Sequence, residues 1–540
     1  MSADKPPETW REGLSEVLAD ELPPPDESIT EPSVQPSVPV RMSALGGYSL
    51  MFALVTMLSN AVSFLMLPIY TRLLTPAMYG AIELVELTFD VLTMVAGARL
   101  IGGVFRYYFK AESVADKKAV LTTGTLLISC GYVVVGIAAY LGAEPIARLC
   151  LRNVSYVGLV QVGSLTLGTQ GLGALPPALL RLQGRFRYAI MFLLARLVVQ
   201  VALNVVLLVH YRLGPNAIFL STFLANLVVG GGVLVYLVLP MGLRFSRPVA
   251  AALYRYGLPL IAVQGATFIL TFGDRYFLNT ARDLTTVGVY ALAYKFAFSL
   301  NNLTQTPFSM VWEPVRFEVA THADHDTTYA RVFVYFSIAL LAGALGIAMF
   351  VSDVLHVIAT APFYGAAYVV PILLISIVFQ AWTAQHETGI LVSERTGYLT
   401  IANWLAAGVT LLAYWILIPR WGGWGAAWAT VIGYGVRYGL TYSFSQHVWP
   451  IRYHWRPVLE LAAMTGGTYA LSRLIPQGPL VYALPGRIAL YVAYLVAVWY
   501  SNVLSHKDRS AAVRLVAQTL AEPVARVLRR GEAPLTTGPD

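Results

Sequence analysis

The chain has 540 residues, 57% of them hydrophobic and 12% charged, with a net charge of +8 and a mean hydropathy of +0.63. A soluble domain carries about 25% charged residues because its surface faces water. The composition therefore excludes a water-soluble fold, and basic residues scattered over many loops instead of one stripe exclude nucleic acid as a partner.

In chain order, residues 1–40 are rich in Pro, Glu and Asp and read as a disordered cytoplasmic tail. Apolar stretches of about 20 residues, the length that crosses a bilayer, then follow. They fall near 44–69, 82–105, 119–142, 156–179, 188–210, 216–240, 257–279, 286–311, 330–351, 367–390, 398–418, 423–445, 456–475 and 484–504, roughly fourteen in all. Backbone polar groups in lipid find partners only within a helix, so the expected fold class is an all-α polytopic membrane protein. Residues 505–540 begin with Arg509, Arg514, Arg526, Arg529 and Arg530 among apolar positions, which suggests a basic amphipathic tail on the anionic inner leaflet.

A repeat divides the core. LLTPAMYGAIELVE around Gly80 is answered by ARDLTTVGVYALAY around Gly288, 208 positions on, and Gly214 is answered by Gly422 at the same spacing. Duplicated helix sets are how many transporters build two lobes around a central site. The expected organisation is an N-lobe of helices 1–6 at 41–243, a C-lobe of helices 7–12 at 244–450 related to it by pseudo-symmetry, and helices 13–14 at 451–504. Lys and Arg dominate alternate loops, which places both termini in the cytoplasm. No cleavable signal sequence is expected.

Charges inside apolar spans are the best site candidates, since each is costly in hydrocarbon unless paired or wetted. Glu83, Glu86 and Asp90 share one helix face at steps of three and seven. They read as an acidic stripe lining a cavity, or as hydrated groups at the membrane interface. Lys295, Asn302 and Gln305 form a cationic-polar face in the repeat-related span. Lys295 could meet Glu86 and Asp90 across a central cleft, or be held in a structural salt bridge within one lobe. Arg196, Gln200 and Asn204 stand at i, i+4 and i+8. Arg196 suits a pyrophosphate by its planar fork, or a carboxylate on a neighbouring helix. Asp274 and Arg275 point about 100° apart and read as bracing or gating groups, with His386 and Glu387 in a further polar patch.

His322, Asp324, His325 and Asp326 lack tetrahedral metal spacing, so no metal is expected. No Walker A, GxSxG, HExxH or dinucleotide fingerprint is present, so neither an ATP-driven pump nor an enzyme is indicated, and no cofactor is called for.

NAVSFLMLPIYTRLLTPAMYG resembles the first-helix signature of polysaccharide biosynthesis membrane proteins, an apolar helix followed by a T-R-x-L-x-P-x-x-Y-G turn. GDRYFLNTARDLTTVGVYALAYKFAFSL resembles the start of that family's second lobe, and LLRLQGRFRYAI and WEPVRFEV resemble its cytoplasmic loops. The resemblance covers residues 44–450 and points to the multidrug/oligosaccharidyl-lipid/polysaccharide exporter superfamily, whose members include lipid-linked oligosaccharide flippases of the Wzx type. It implies an inverted V of two six-helix lobes, alternating access, a bacterial inner-membrane location, and a glycan on undecaprenyl pyrophosphate as cargo. Membrane lipids and other polysaccharide-assembly proteins are the implied partners. The competing readings are a cation-coupled exporter of small molecules and a non-transporting component of a glycan-assembly complex.

Overall fold

The computed structural model describes residues 42–97, 100–242, 244–475, 480–501 and 503. The expected tails at 1–40 and 505–540 lie outside them. The chain divides into two units, Met1–Ser49 and Leu50–Asp540. In the first, residues 42–49 are described and begin helix α1; everything below concerns the second.

The long helices run α1 (Met42–Leu65), α2 (Leu67–Leu73), α3 (Pro76–Ala96), α4 (Leu100–Lys110), α5 (Val114–Leu141), α6 (Val157–Leu182), α7 (Phe186–Val205), α8 (Asn216–Ala225) and α9 (Gly232–Val238). They continue with α10 (Arg247–Ala281), α11 (Leu284–Leu300), α12 (Thr306–Val319), α13 (His325–Ile358), α14 (Ala366–His386), α15 (Gly397–Trp421), α16 (Gly423–Val448), α17 (Trp455–Ser472) and α18 (Leu480–Tyr500). Among the described residues all regular structure is helical.

The sequence repeat has a local physical cause. Thr75 caps α3 by accepting from the Met78 N–H at 3.3 Å, and Asp283, 208 positions later, caps α11 by accepting from the Thr286 N–H at 2.7 Å. A side-chain oxygen in that place satisfies a donor the helix start leaves without a partner. Gly214 and Gly422 both take positive φ, 59° and 56°, a region open to glycine and strained for other residues.

Among the described residues, eight helical runs are long and apolar enough to cross a membrane, or nine if Arg247–Pro259 and Gln264–Ala281, inclined at 50°, form one span. This is fewer than the roughly fourteen expected, because several helices trade apolarity for buried polar contacts. α3 carries three carboxylates, the continuous run through α11 and α12 carries Lys295, Asn301, Asn302 and Gln305, and α6 and α16 are rich in Gly, Thr or Tyr turned into the protein. Arg316, Arg331 and Arg487 lie within α12, α13 and α18.

α3 packs against α11, α5 against α6, and α16 against both α14 and α15. Gly80 and Gly288 make the α3–α11 approach possible. A Cβ on Gly80 would fall 2.2 Å from the Leu284 carbonyl oxygen, and one on Gly288 would fall 1.9 Å from that of Pro76. Further contacts join the repeat-related segments at this end, which belongs to the arginine-poorer set of alternate loops and holds Arg152, Arg282 and Arg420. The Thr71 hydroxyl donates to the Ile358 carbonyl at 2.8 Å, Thr360 donates back to the Thr71 carbonyl at 2.8 Å, and Tyr79 meets Phe363 edge-on. At the opposite end, α4 meets α10, with Gly103 beside Leu253 and Arg106 over the Tyr256 ring.

Candidate functional site: a charged cluster between the halves

α3 and α10 bring opposite charges together inside the bundle. Asp274 and Arg275 are 0% and 1% exposed, and Arg275 Nη1 lies 2.6 Å from Asp274 Oδ1. This corrects the expectation that the two neighbours diverge: the flexible arginine stem curls back across the 100° step and closes the pair. Such burial is tolerable only with the remaining lone pairs and donors engaged. Tyr290 donates to Asp274 Oδ2 at 2.5 Å, Thr430 donates to the same oxygen at 3.3 Å, and Arg275 Nη1 also donates to the Thr271 carbonyl at 2.7 Å. The guanidinium sits 4.1 Å from the Tyr294 ring centroid, a favourable place for a desolvated cation.

The bracing reaches beyond one half. Arg275 Nε stands 3.6 Å from Glu83 Oε1, an ion pair too long to be a hydrogen bond, and Nε has no hydrogen-bond acceptor. The Thr88 and Tyr276 hydroxyls are 3.0 Å apart and link the same two helices.

Glu86 and Asp90 follow on the same face of α3. They are exposed, whereas Val85, Leu87 and Phe89 between and beside them are buried. Lys295 on α11 is half-buried and within electrostatic reach of Glu86 and Glu83, with no ion pair formed at contact distance among the described residues. Glu83 and Glu86 thus stand within electrostatic reach of Lys295 without touching it. Asn302 and Gln305 lie in a π-helical turn at the end of α11, both half-buried. Gln305 donates to the Ser309 hydroxyl at 2.8 Å, and its own carbonyl oxygen is buried with no partner.

The α7 stripe is held by its neighbours instead. Arg196 Nε donates to Asn226 Oδ1 at 2.8 Å, Gln200 to the Thr222 hydroxyl at 2.9 Å, and Asn204 to the Tyr70 hydroxyl at 3.0 Å. No carboxylate pairs with Arg196 among the described residues. Only the Asn204 end approaches the acidic face, through Tyr70, which is within electrostatic reach of Glu86.

His386 and Glu387 form a separate centre. His386 is fully buried, its Nδ1 lies 2.8 Å from the Trp382 carbonyl oxygen, and it stacks on Trp455 between Phe333 and Tyr453. Glu387 stands 3.9 Å from Arg316. Sequence reasoning missed two elements. Tyr290 and Thr430 complete the Asp274 shell from α11 and α16, and Arg487 on α18 grips both oxygens of Asp353 on α13 at 2.6 and 2.5 Å. An aspartate and an arginine each inside an apolar span were the available signal for the second.

Comparison with known proteins fits this architecture. The structure of a lipid II flippase, MurJ, in an inward closed conformation covers 85% of this chain and 99% of its own, with a TM-score of 0.66 at 11% identity. An inward-facing multidrug resistance MATE family transporter of the MOP superfamily covers 72% and 94%, with a TM-score of 0.56 at 15% identity. At these identities the likeness is one of fold, and these proteins are a flippase and a transporter, not enzymes. In sequence, the chain is 25% identical over 239 residues to an uncharacterized membrane protein of Methanocaldococcus jannaschii, spanning 42% of this chain and 46%, about half, of that relative. The model of the polysaccharide biosynthesis protein family matches residues 69–369, more than half of the chain and the stretch holding the glycine contact and the charged cluster. By that match the chain belongs to the polysaccharide biosynthesis protein family.

Proposed function

We propose that the protein is a flippase that carries a polyprenyl-pyrophosphate-linked oligosaccharide from the cytoplasmic to the outer leaflet of the inner membrane by alternating access. The observation that carries this reading is the approach of Glu83 on α3 to Arg275 on α10, and of Glu83 and Glu86 to Lys295 on α11, with Asp90 next along the same acidic face. Charges of both signs facing one space between the halves can receive an anionic headgroup on one side and a coupling cation on the other. The halves would be 41–243 and 244–450, with 451–504 packed against the second. The arginine-poor end would face outward and both termini inward. The Gly80–Gly288 contact then closes the outer end, and its parting would release cargo.

Lys295 is the candidate headgroup cation, because among the described residues it forms no ion pair at contact distance and is only half-buried. Arg275 and Asp274 would be the hinge-side brace and Glu83 the gate between the halves. Other glycan-assembly proteins would be the partners on either side. The acidic face also supports a second reading, a cation-coupled exporter of small molecules; a multidrug resistance MATE family transporter shares the fold.

The deciding assay is flipping of labelled undecaprenyl-pyrophosphate oligosaccharide in proteoliposomes. The expected result is transport by the wild type that falls at least tenfold in Lys295→Ala. Transport of an organic cation with no movement of the glycan lipid would replace the first reading by the second.

A further inference from the structure

Beside the Gly80–Gly288 contact, at the arginine-poor end, an opening of about 380 Å³ lies between the halves. Ala77 and the segment from Leu151 to Tyr156 line one side, and the segment from Asn279 to Thr285 lines the other. Leu284, whose carbonyl touches Gly80, is part of its wall.

The polar groups around this opening have donors to spare. Arg152 holds a φ of 55°, a left-handed conformation strained for a non-glycine residue. Its Nη1 donates across to the Thr280 carbonyl at 2.9 Å. Arg282 Nη2 donates to the Pro419 and Arg420 carbonyls at 3.2 and 3.3 Å. A guanidinium has five N–H donors, so both retain several, and neither meets a carboxylate among the described residues. The nearby Asp283 is occupied in capping α11, accepting from the Thr286 N–H and hydroxyl, both at 2.7 Å. Asn279 uses its amide N–H on the Cys150 carbonyl at 2.8 Å, which leaves its oxygen as an acceptor. Asn153 uses its oxygen on Ser155, which leaves its amide nitrogen as a donor. The half-buried Tyr156 contributes a ring.

Two guanidinium forks suit a carboxylate bidentately. Free amide donors and acceptors suit hydroxyls, and an aromatic ring suits the apolar face of a sugar. We propose that this opening binds an acidic sugar, and that it does so only while Gly80 and Gly288 are in contact. Its two walls come from different halves, so parting them dismantles the site. A ligand that binds one state alone shifts the equilibrium toward that state. An acidic glycan on the far side would therefore hold the halves closed there and restrain further transport. This deepens the flippase reading and rests on it for the physiological role, but the binding itself does not depend on flipping.

The test is calorimetric titration of the purified full-length chain in nanodiscs with trigalacturonate, maltotriose and inorganic phosphate. Trigalacturonate is expected to bind, maltotriose not to, and Arg152→Gln and Arg282→Gln each to weaken binding at least tenfold. Phosphate binding as tightly as trigalacturonate, unchanged affinity in both variants, or no trigalacturonate binding would each overturn the assignment. The flippase reading would still stand or fall by its own assay. The link to closure is read from Gly80→Val, checked for folding by its melting transition, which should lose binding at least tenfold. It is read independently from Asp90→Cys, whose labelling by an impermeant maleimide from the arginine-poor side should slow at least tenfold with trigalacturonate. An unchanged affinity or an unchanged labelling rate overturns the link.

Discussion

Glu83 of α3 lies 3.6 Å from Arg275 of α10, so an arginine buried with its own neighbouring aspartate also holds a carboxylate from the other half of the repeat. The two ties differ in kind. Asp274 is wholly buried with Arg275, whereas the Glu83 side chain is 24% exposed.

Removing the buried cation should therefore cost far more than removing the Glu83 carboxylate. Arg275→Met leaves Asp274 buried without its counter-charge and should destabilise the protein by about 3–5 kcal/mol. Glu83→Gln gives up a partly solvated pair at long range and should cost less than about 1 kcal/mol. Thermal melting of both variants in nanodiscs checks the order; equal losses would show that Glu83 is as essential to the brace as Asp274.

Arg487 and Asp353 make a pair that behaves as a unit. Arg487→Met alone should lower stability by about 3–5 kcal/mol, because it abandons a mostly buried carboxylate. Adding Asp353→Leu should recover most of that loss. A double-mutant cycle measures the coupling; strictly additive losses would mean that the two groups act independently.

The α7 stripe and Lys295 should separate in function. Arg196→Ala loses a hydrogen bond to Asn226 and should cost about 1 kcal/mol while leaving glycan flipping within about twofold. Lys295→Ala should fold normally and lose flipping. The proteoliposome assay, run on both variants beside their melting curves, distinguishes support from headgroup binding.

Gly422 should tolerate substitution poorly. Its φ of 56° with ψ of −128° is a glycine conformation, and a Cβ there would stand 3.3 Å from Arg282. Gly422→Ala should cost about 1–3 kcal/mol. It should also disturb the Arg282 contacts to Pro419 and Arg420, which a melting curve and the trigalacturonate titration would both register.

Much of the fold was legible in the sequence because a membrane imposes length and apolarity, and because the repeat marks caps and glycines that recur for backbone reasons. Thr75 with Asp283 and Gly214 with Gly422 are such pairs. The acidic face of α3 was legible from helical periodicity. The span count was not, because α3, α6 and α16 are as polar as their buried contacts require. The partner of Arg275 was also hidden. Angular spacing describes where a Cβ points, and a long arginine reaches where its stem allows. The support of Arg196 by Asn226 depends on which helix lies beside α7, information that only the folded chain contains.

The meeting of α3 and α11 is reciprocal. Gly80 abuts Leu284 while Gly288 abuts Pro76, and each of these four residues stands 208 positions from its counterpart on the other side. A contact in which i meets j and j meets i is what two identical subunits make across a twofold axis. A half-length ancestor carrying a single such glycine would already have possessed this surface, and could have met a second copy of itself there. Fusion of two copies would then have freed each side to diverge, leaving acids on one helix and a lysine on the other, while the glycines at the axis stayed as they were.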